Sequence, residues 1–501
     1  MIQYLQYGLK GKHARPFGLL YEIIYLEEKT LAKKLIYGIH DRPKTSQLLV
    51  FALQQLLAVL AATIAVPAIV GNGMSASAAL FGAGVGTLVY QAFTKFRSPV
   101  FLGSSFAFIG PMLAAFAGAT SMSLGYLGLI IGAVFAGLVY VIIALVVKKF
   151  GTGWINKLMP AAVIGPTVAL IGLSLAGAAI SDVFSYGPKE TFGLNGYYIM
   201  TANIWLSFIC AIVTFAVVVL CSVYGKKMTK LIPFIIGILA GYLVALVFTV
   251  IGYAAGVDAM KVIDFTPFTN LLVDGKVAFT TFIDLPDFTF IEGFRGFADF
   301  EWSYLATIAV AYVPVAFVVF AEHIADHKNL STIIDKDLLT DPGLDSTLLG
   351  DGVGSMVGAL FGGCPNTTYG ESVGCVAITR NASVATISVT ALMSILVSFF
   401  SPFVAFLDSI PGCVMGGVCI TLYGFIAVSG LKMIQKVDLE DHANLFTVSV
   451  ILITGIGGMA MAIGKVYITC TACALVLGII TNIVLKKFKK SPEENGEETE
   501  E

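Results

Sequence analysis

Side chains that can carry a charge or a proton lie in two stretches set among long apolar segments. Glu322, His323 and Asp326 belong to VPVAFVVFAEHIADH, and Glu371 belongs to GGCPNTTYGESVG. A carboxylate at membrane depth costs several kcal/mol unless it is paired, hydrated or protonated, so it indicates function. Glu322 and Asp326 are four residues apart and share one helical face, whereas His323 points elsewhere. These groups can bind the donors of a solute or carry protons, although His323 also fits a core histidine.

The composition predicts that membrane helices hold these residues. Of 501 residues, 57% are hydrophobic and only 12% are charged, about half the charged fraction of a soluble domain. The apolar residues occur in runs of ~20, the length of a transmembrane helix. We therefore expect an all-α polytopic membrane protein embedded in a lipid bilayer. The net charge of -2 shows no footprint of a nucleic-acid partner.

Run lengths predict fourteen transmembrane segments in two sets of seven. The segments lie near 48–70, 76–94, 100–117, 123–147, 157–180, 199–222, 231–254, 302–322, 344–362, 367–380, 384–407, 410–429, 444–463 and 466–486. Lysine and arginine clusters fall on one side if the segments alternate, which predicts a multi-pass protein of the cell (inner) membrane with both termini cytoplasmic.

The pattern also divides the chain into regions. We expect a cytoplasmic leader over 1–46, a first seven-span repeat over 47–254 and an extracytoplasmic loop over 255–301. A second seven-span repeat follows over 302–487, and 488–501 is an acidic, disordered cytoplasmic tail. Because seven is odd, the second half enters the membrane from the opposite face, as in an inverted repeat.

The third segment of each half is interrupted. FLGSSFAFIGPM (101–112) and NTTYGESVGCVAITR (366–380) are short, rich in Gly, Ser or Thr, and flanked by proline. Irregular backbone at this depth must be covered by protein or line a cavity, and paired interruptions indicate a substrate site near the midplane. The two stretches could also pair as short strands. The alternative is that the small residues only permit close helix packing, which we favour for GAGVGTL (82–88).

The sequence offers no catalytic or metal-binding motif. The spacing in HIADH lacks the glutamate of a zinc-protease motif, and the CxxC of Cys470 and Cys473 lies in an apolar run. We expect neither an enzyme, nor a metal site, nor a cofactor. Without an ATPase module, transport would be driven by an ion gradient.

Several stretches resemble the nucleobase–ascorbate transporter family, also called nucleobase:cation symporter-2. They are AEHIADH…KDLLTDPGL (321–344), GCPNTTYGESVGCVAITR (363–380) and FLGSSFAFIGPM. Within that family the chain is similar to the bacterial uracil permeases, and the resemblance spans roughly Gln47 to Lys487. Three departures stand out. The leader before Gln47 and the Ala255–Phe300 loop are longer than in compact members of the family. Ser372 replaces a common asparagine, and Asp326 stands where some uracil permeases have histidine.

The resemblance implies fourteen spans in two inverted repeats of seven. A core domain (spans 1–4 and 8–11) would hold the substrate, and a gate domain (spans 5–7 and 12–14) would move against it and form a homodimer. Short antiparallel strands are implied in spans 3 and 10. The implied substrate-binding residues are Glu322, Glu371, Phe106, Tyr369, Gly370 and Ala62.

The implied function is import of uracil by proton symport. The residues for proton coupling would be Glu322 and Asp326, with His323 as a further candidate. Sodium remains open as the coupling ion. A purine (xanthine or urate) symporter or an anion carrier of the same fold is the alternative, although an anion carrier would favour basic residues over buried acids.

Overall fold

The computed structural model describes residues 35–489 except 186, 193–194, 227 and 464–465. Most of the expected leader over 1–46 and of the expected tail over 488–501 therefore lies outside the described residues.

Twenty α-helices account for most of the described chain. They are α1 Thr45–Val70, α2 Ala76–Phe93, α3 Ile109–Gly118, α4 Met122–Phe150, α5 Gly153–Leu158, α6 Ala161–Ser174, α7 Ala176–Val183, α8 Ala202–Tyr224, α9 Met228–Leu231, α10 Pro233–Ala255, α11 Thr266–Thr269, α12 Thr289–Arg295, α13 Trp302–Ile334, α14 Leu344–Gly362, α15 Gly370–Thr379, α16 Val384–Ser398, α17 Ser401–Asp408, α18 Gly412–Ile434, α19 His442–Ile456 and α20 Cys470–Lys489. Short 3-10 turns occupy Phe106–Phe108, Asp258–Met260 and Gly296–Asp299, and a π-helical turn occupies Leu339–Gly343.

Six short strands form three antiparallel pairs. They are β1 Leu102–Ser104, β2 Lys189–Phe192, β3 Asn195–Tyr198, β4 Asn366–Thr368, β5 Met461–Ile463 and β6 Val466–Ile468. The pairs are β1 with β4, β2 with β3, and β5 with β6. The last two are local hairpins that the expectation of an all-α chain did not include.

Nine helical segments in the described ranges are long and apolar enough to cross a membrane, judged by length and composition. Three shorter apolar helices accompany them, over 106–118, 384–398 and 442–456. The protein is a mostly helical, multi-pass membrane protein.

The helices pack in two groups. In the first, α14 lies against α2 and α4, and α13, α16 and α1 complete the group. In the second, α18 packs on α6, α8 on α10, and α19 on α20. Glycines permit the close approach of α2 and α14, because a Cβ at Gly82 would lie 2.4 Å from the carbonyl oxygen of Gly358. The small residues of GAGVGTL thus serve helix packing, as the sequence indicated.

The β1–β4 pair joins distant parts of the chain inside the first group. Leu102, Gly103 and Ser104 pair with Thr368, Thr367 and Asn366. After β1 the chain forms a 3-10 turn and then α3, and after β4 it forms α15 directly. Both interrupted sequences therefore consist of a short strand followed by a half-length helix, and no continuous helix runs from Thr367 to Gly374.

Candidate substrate-binding site

A cavity of about 360 Å³ lies where the β1–β4 pair meets α13, α15 and the second helix group. Of the residues that the sequence singled out, six line it: Phe106, Glu322, Asp326, Tyr369, Gly370 and Glu371. Ser222, Lys230 and Met433 line it as well, so the cavity extends toward the side where the basic connections lie.

Helix α13 contributes two carboxylates to the cavity. Glu322 and Asp326 are one helical turn apart, and both face it. The hydroxyl of Thr368, on β4, donates a hydrogen bond to Asp326 Oδ2 at 2.7 Å. This contact fixes Asp326 against the strand pair and leaves Glu322 one turn deeper along the same face.

Tyr369 connects the two strands beside the cavity. Its hydroxyl donates to the carbonyl oxygen of Ser104 at 2.8 Å, and its ring is buried. The ring lies over Gly103, where an added Cβ would be only 2.3 Å from the nearest ring carbon. Gly103 thus provides the space that brings Tyr369 to its position.

Glu371 occupies the first turn of α15. The N-terminus of a helix favours a negative charge and leaves backbone N–H groups unpaired, which a bound solute can use. The next residue, Ser372, is fully buried and faces away from the cavity. Its Oγ accepts hydrogen bonds from Gln55 Nε2 at 2.5 Å and from the backbone N–H of Phe101 at 3.3 Å. Ser372 therefore anchors the helix turn that presents Glu371.

An aromatic side chain forms another wall. Phe106 lies in the 3-10 turn after β1, and its ring contacts that of Tyr423 edge-on, with centroids 5.7 Å apart. The second helix group contributes Phe425 and Ser429 from α18 and Phe234 from α10. The cavity therefore has carboxylates on one side and mostly apolar surface on the other.

Two of the expected residues do not line this cavity. Ala62 is buried within α1, and Ala58, one turn earlier, contributes to the wall instead. His323 belongs to a separate, fully buried polar cluster. Its Nδ1 lies 2.6 Å from Asp351 Oδ2, and its Nε2 lies 3.0 Å from Thr347 Oγ1.

The polar cluster continues along α13. The Nδ1–H of His327 donates to the backbone carbonyl of His323 at 2.8 Å, and the two rings stack with centroids 4.1 Å apart. The Nε2 of His327 lies 2.7 Å from the hydroxyl of Tyr90, which also contacts Ser98. This cluster connects α13 to α2 and α14 on a face of α13 that does not line the cavity.

A second cavity, of about 380 Å³, lies on the other side of Phe106. Its walls include Asp182 and Ser181 near α7 and Thr469, Cys470 and Thr471 at the start of α20. Phe106 lines both cavities. The 3-10 turn after β1 therefore separates two spaces that lie between the helix groups.

Metal ligation has no visible basis in the part of the chain that the structure describes. There, no group of three or more His, Cys, Asp and Glu side chains could hold an ion. The eight cysteines are free thiols.

Sequence reasoning did not identify Gln55 or Asp351 as partners within the site region. Asp351 lies inside a predicted membrane segment, and its charge there was a usable signal. Gln55 gave no such signal, because its role depends on Ser372, which is 317 residues away in the chain.

Comparisons with known proteins extend over nearly the whole chain. A family model described as "Permease family" (Xan_ur_permease) matches residues 46–464. The chain is 38% identical over 471 residues to the uracil permease of Bacillus caldolyticus, covering 93% of this chain and 98% of that protein. It is 36% identical over 451 residues to the uracil permease of Escherichia coli K12, covering 90% and 94%.

Solved structures share the architecture at low identity. The transmembrane domain of the cyanobacterial bicarbonate transporter BicA has a TM-score of 0.52 at 14% identity, covering 90% of this chain and 100% of that one. The murine Slc26a9 anion transporter in its inward-facing state has a TM-score of 0.57 at 12% identity, covering 96% and 73%. At such identities the likeness concerns the fold alone.

Proposed function

Because the chain belongs to the nucleobase:cation symporter-2 family of permeases, and is thus a transporter rather than an enzyme, we propose that it imports uracil by proton symport. Curated relatives at 36–38% identity are uracil permeases. The observation that carries the proposal is the single cavity shared by Glu322, Asp326, Glu371, Tyr369 and Phe106.

The chemistry of that cavity suits a pyrimidine base. Uracil is flat and neutral, with two N–H donors and two carbonyl acceptors, and each unsatisfied group would cost ~1–3 kcal/mol on burial. Glu322 and Glu371 supply acceptors, and the backbone N–H groups at the start of α15 supply donors. Phe106 can cover a ring face, a contact worth ~1 kcal/mol. Tyr369 and Gly370 would form part of the wall around the substrate. Ala62, which is buried in α1 one turn after Ala58, would support that wall without contacting the substrate.

Proton coupling is assigned to the carboxylates of α13. A proton taken up from outside would neutralise Glu322 or Asp326, and the loaded first group of helices would then move against the second. Release of substrate and proton inside would complete the cycle. His323 lies outside the cavity, next to Asp351, so in this scheme it would accept protons only through a rearrangement of its cluster.

The proposed architecture has fourteen spans in two inverted repeats. The nine long helices, the three shorter apolar ones, α14 and α15 together supply that number. The third segment of each half consists of a short strand followed by a half-length helix, β1 with α3 and β4 with α15. This correspondence supports the repeat. The first helix group would be the core domain and the second the gate domain, through which two copies would form a homodimer. Both termini would be cytoplasmic, in the cell membrane.

Uptake into proteoliposomes tests this function. Labelled uracil should accumulate when the outside is acidic relative to the inside, and unlabelled uracil should compete. Urate and sulfate should compete weakly, since three carboxylates line the cavity and disfavour anions, and xanthine should compete weakly if the cavity selects a pyrimidine. Accumulation driven by a sodium gradient at clamped pH would identify sodium as the coupling ion. Stronger competition by xanthine or sulfate than by uracil would show that uracil is not the preferred substrate.

A further inference from the structure

A short segment before α1 forms hydrogen bonds with the residues that follow α15, the helix that carries Glu371. This segment, residues 35–44, is called the N-terminal strap below. Its partner is the segment 380–384, which comprises the connection between α15 and α16 and the first residue of α16. Four backbone hydrogen bonds join the two. The N–H groups of Ile36 and Tyr37 donate to Arg380 O at 2.8 and 3.3 Å, that of Ala382 donates to Tyr37 O at 2.9 Å, and that of Val384 donates to Ile39 O at 3.0 Å.

Side chains reinforce the attachment. The hydroxyl of Ser383 donates to the backbone carbonyl of Asp41 at 2.6 Å. The hydroxyl of Tyr37 donates to Gln47 Oε1 at 2.7 Å, so the strap is also fixed to the start of α1. Pro43 is buried, whereas Ile36 is 61% exposed. The strap therefore has an inward face and an outward face.

The inward face completes a small hydrophobic cluster behind the cavity. Leu35 and Ile39 pack against a buried set formed by residues of several elements: Tyr90, Val100, Leu102, Leu330, Ile334, Leu338, Val373, Val376 and Ala382. These residues come from α2, β1, α15, the end of α13 and the adjoining connections. The elements that present the carboxylates on one side thus share this cluster on the other.

From this arrangement we propose that the N-terminal strap is a positioning element for the substrate site, a proposal that rests on the proposed function. Glu371 and Arg380 lie at opposite ends of α15, about 13 Å apart at 1.5 Å per residue. A ten-residue helix is short enough to tilt as a unit. Holding Arg380 and packing Val373 and Val376 therefore fixes the direction in which Glu371 points.

Two substitutions, one on the inward face of the strap and one on its outward face, test whether the strap positions Glu371. The outward substitution controls for any general effect of adding a charge to the strap. Ile39→Asp places a charge in the cluster, and Ile36→Asp places the same charge on the exposed face. We expect the dissociation constant of uracil for purified, folded protein to rise roughly 10–100-fold in Ile39→Asp, since small misplacements of binding groups have such effects. It should stay within about twofold of the parent in Ile36→Asp, and Ile39→Val should restore binding.

Ile39→Ala, which removes packing without adding charge, is measured alongside in case Ile39→Asp does not fold. A merely stabilising strap would lower the yield or the thermal midpoint and leave the dissociation constant of the folded fraction unchanged. That result in either folded variant would overturn the proposal, as would an equal rise in Ile36→Asp.

A second readout does not require uracil. Cys375 lies on α15 and lines the cavity, so its alkylation rate, followed site by site with mass spectrometry, reports the placement of that helix. Ile39 variants should change this rate several-fold, and Ile36→Asp should not. If the parent fails to bind uracil, the proposed function is wrong, whereas an unchanged Cys375 rate in the Ile39 variants rejects the strap's role independently.

Discussion

The three carboxylates of the cavity differ in what surrounds them. Asp326 accepts a hydrogen bond from Thr368, Glu371 lies in the first turn of a helix, and Glu322 lies one turn before Asp326 within α13. A carboxylate at a helix N-terminus is suited to hold a ligand in place, because the helix favours its charge. Glu322 has no such support from a helix end and is better suited to gain and lose a proton.

Two substitutions separate these roles. We expect Glu371→Ala to abolish measurable uracil binding, because a hydrogen bond to a charged group contributes ~1.5–3 kcal/mol and its loss leaves ligand donors unpaired. Glu322→Gln keeps a hydrogen-bonding side chain, so it should retain binding while losing pH-driven accumulation. Binding to purified protein and uptake into proteoliposomes measure the two effects.

The exposed Glu440→Gln serves as the matched control and should behave like the parent. Parent-like uptake in both cavity variants would show that these carboxylates do not carry transport.

The Gln55–Ser372 contact predicts a coupled pair. Ser372→Ala leaves the buried Gln55 amide without its acceptor, at a cost of about 1–3 kcal/mol, whereas replacing both partners by apolar residues costs less than the sum of the single changes. Gln55→Leu, Ser372→Ala and the double variant form the cycle, with thermal stability and uracil affinity as readouts. Strict additivity of both quantities would mean that the contact does not hold Glu371 in place.

Among single residues, the sequence allowed the cavity carboxylates to be predicted from their residue type. An acid in an apolar run is visible from the sequence alone, and Glu322, Asp326 and Glu371 line one cavity. Partners such as Gln55 and Thr347 are ordinary polar residues whose importance comes from what they touch. The placement of Ala58 rather than Ala62 on the wall depends on the rotation of α1, which its nearly uniform apolar surface does not specify.

Among the elements, the strand pair has a tight steric requirement at Gly103. Gly103→Ala would force a Cβ into the ring of Tyr369, 2.3 Å away, and overpacking of this kind costs ~1–3 kcal/mol. We expect reduced thermal stability together with weaker uracil binding, since Tyr369 precedes the helix of Glu371. Gly424→Ala, which meets nothing within 4 Å, is the control and should change neither property.

The connection between α13 and α14 predicts a pH dependence of stability. The Lys336 ammonium, at 2.7 Å, and the Arg97 guanidinium, at 3.1 Å, lower the pKa of Asp341. The ionised form is therefore favoured in the folded state. This contribution is present above the carboxyl's unfolded pKa of about 3.9 and is lost as pH falls through the lower folded value.

Asp341→Asn should consequently lower the thermal midpoint slightly at pH 7, because a half-exposed ion pair stabilises only weakly. The difference from the parent should shrink as the pH falls below roughly 4. A midpoint difference that stays constant over this pH range would show that charge is not the cause.

Element prediction succeeded where apolar run length decides the outcome. The long helices α1, α4, α8 and α10 lie close to the expected segments. The hairpins β2–β3 and β5–β6 were missed, since each lies in a connection between two helices, at 184–201 and 457–469, beside a strong helical pattern. The strap was missed for another reason. Its structure comes from backbone bonds to residues almost 350 positions later, which no local pattern encodes.

For the whole molecule, the two cavities on either side of Phe106 suggest access from two sides. Cys375 lines one cavity and Cys470 the other. If the two helix groups move against each other, conditions that raise the alkylation rate of one thiol should lower that of the other. We expect such opposite changes when uracil or a pH gradient is applied to sealed vesicles with an impermeant maleimide.

Cys470→Ser and Cys375→Ser identify the two signals. Parallel changes of both rates would contradict alternating access and indicate a general loosening instead.

The β1–β4 pair has a consequence for how the chain must be made. Each strand has its hydrogen-bonding partner in the opposite half, and in lipid an unpaired backbone group costs several kcal/mol. A nascent chain that has inserted only its first half therefore holds an unsatisfied strand until residues 366–368 emerge. Truncated products should thus be targets for membrane quality control, and separately expressed halves should become stable only when produced together.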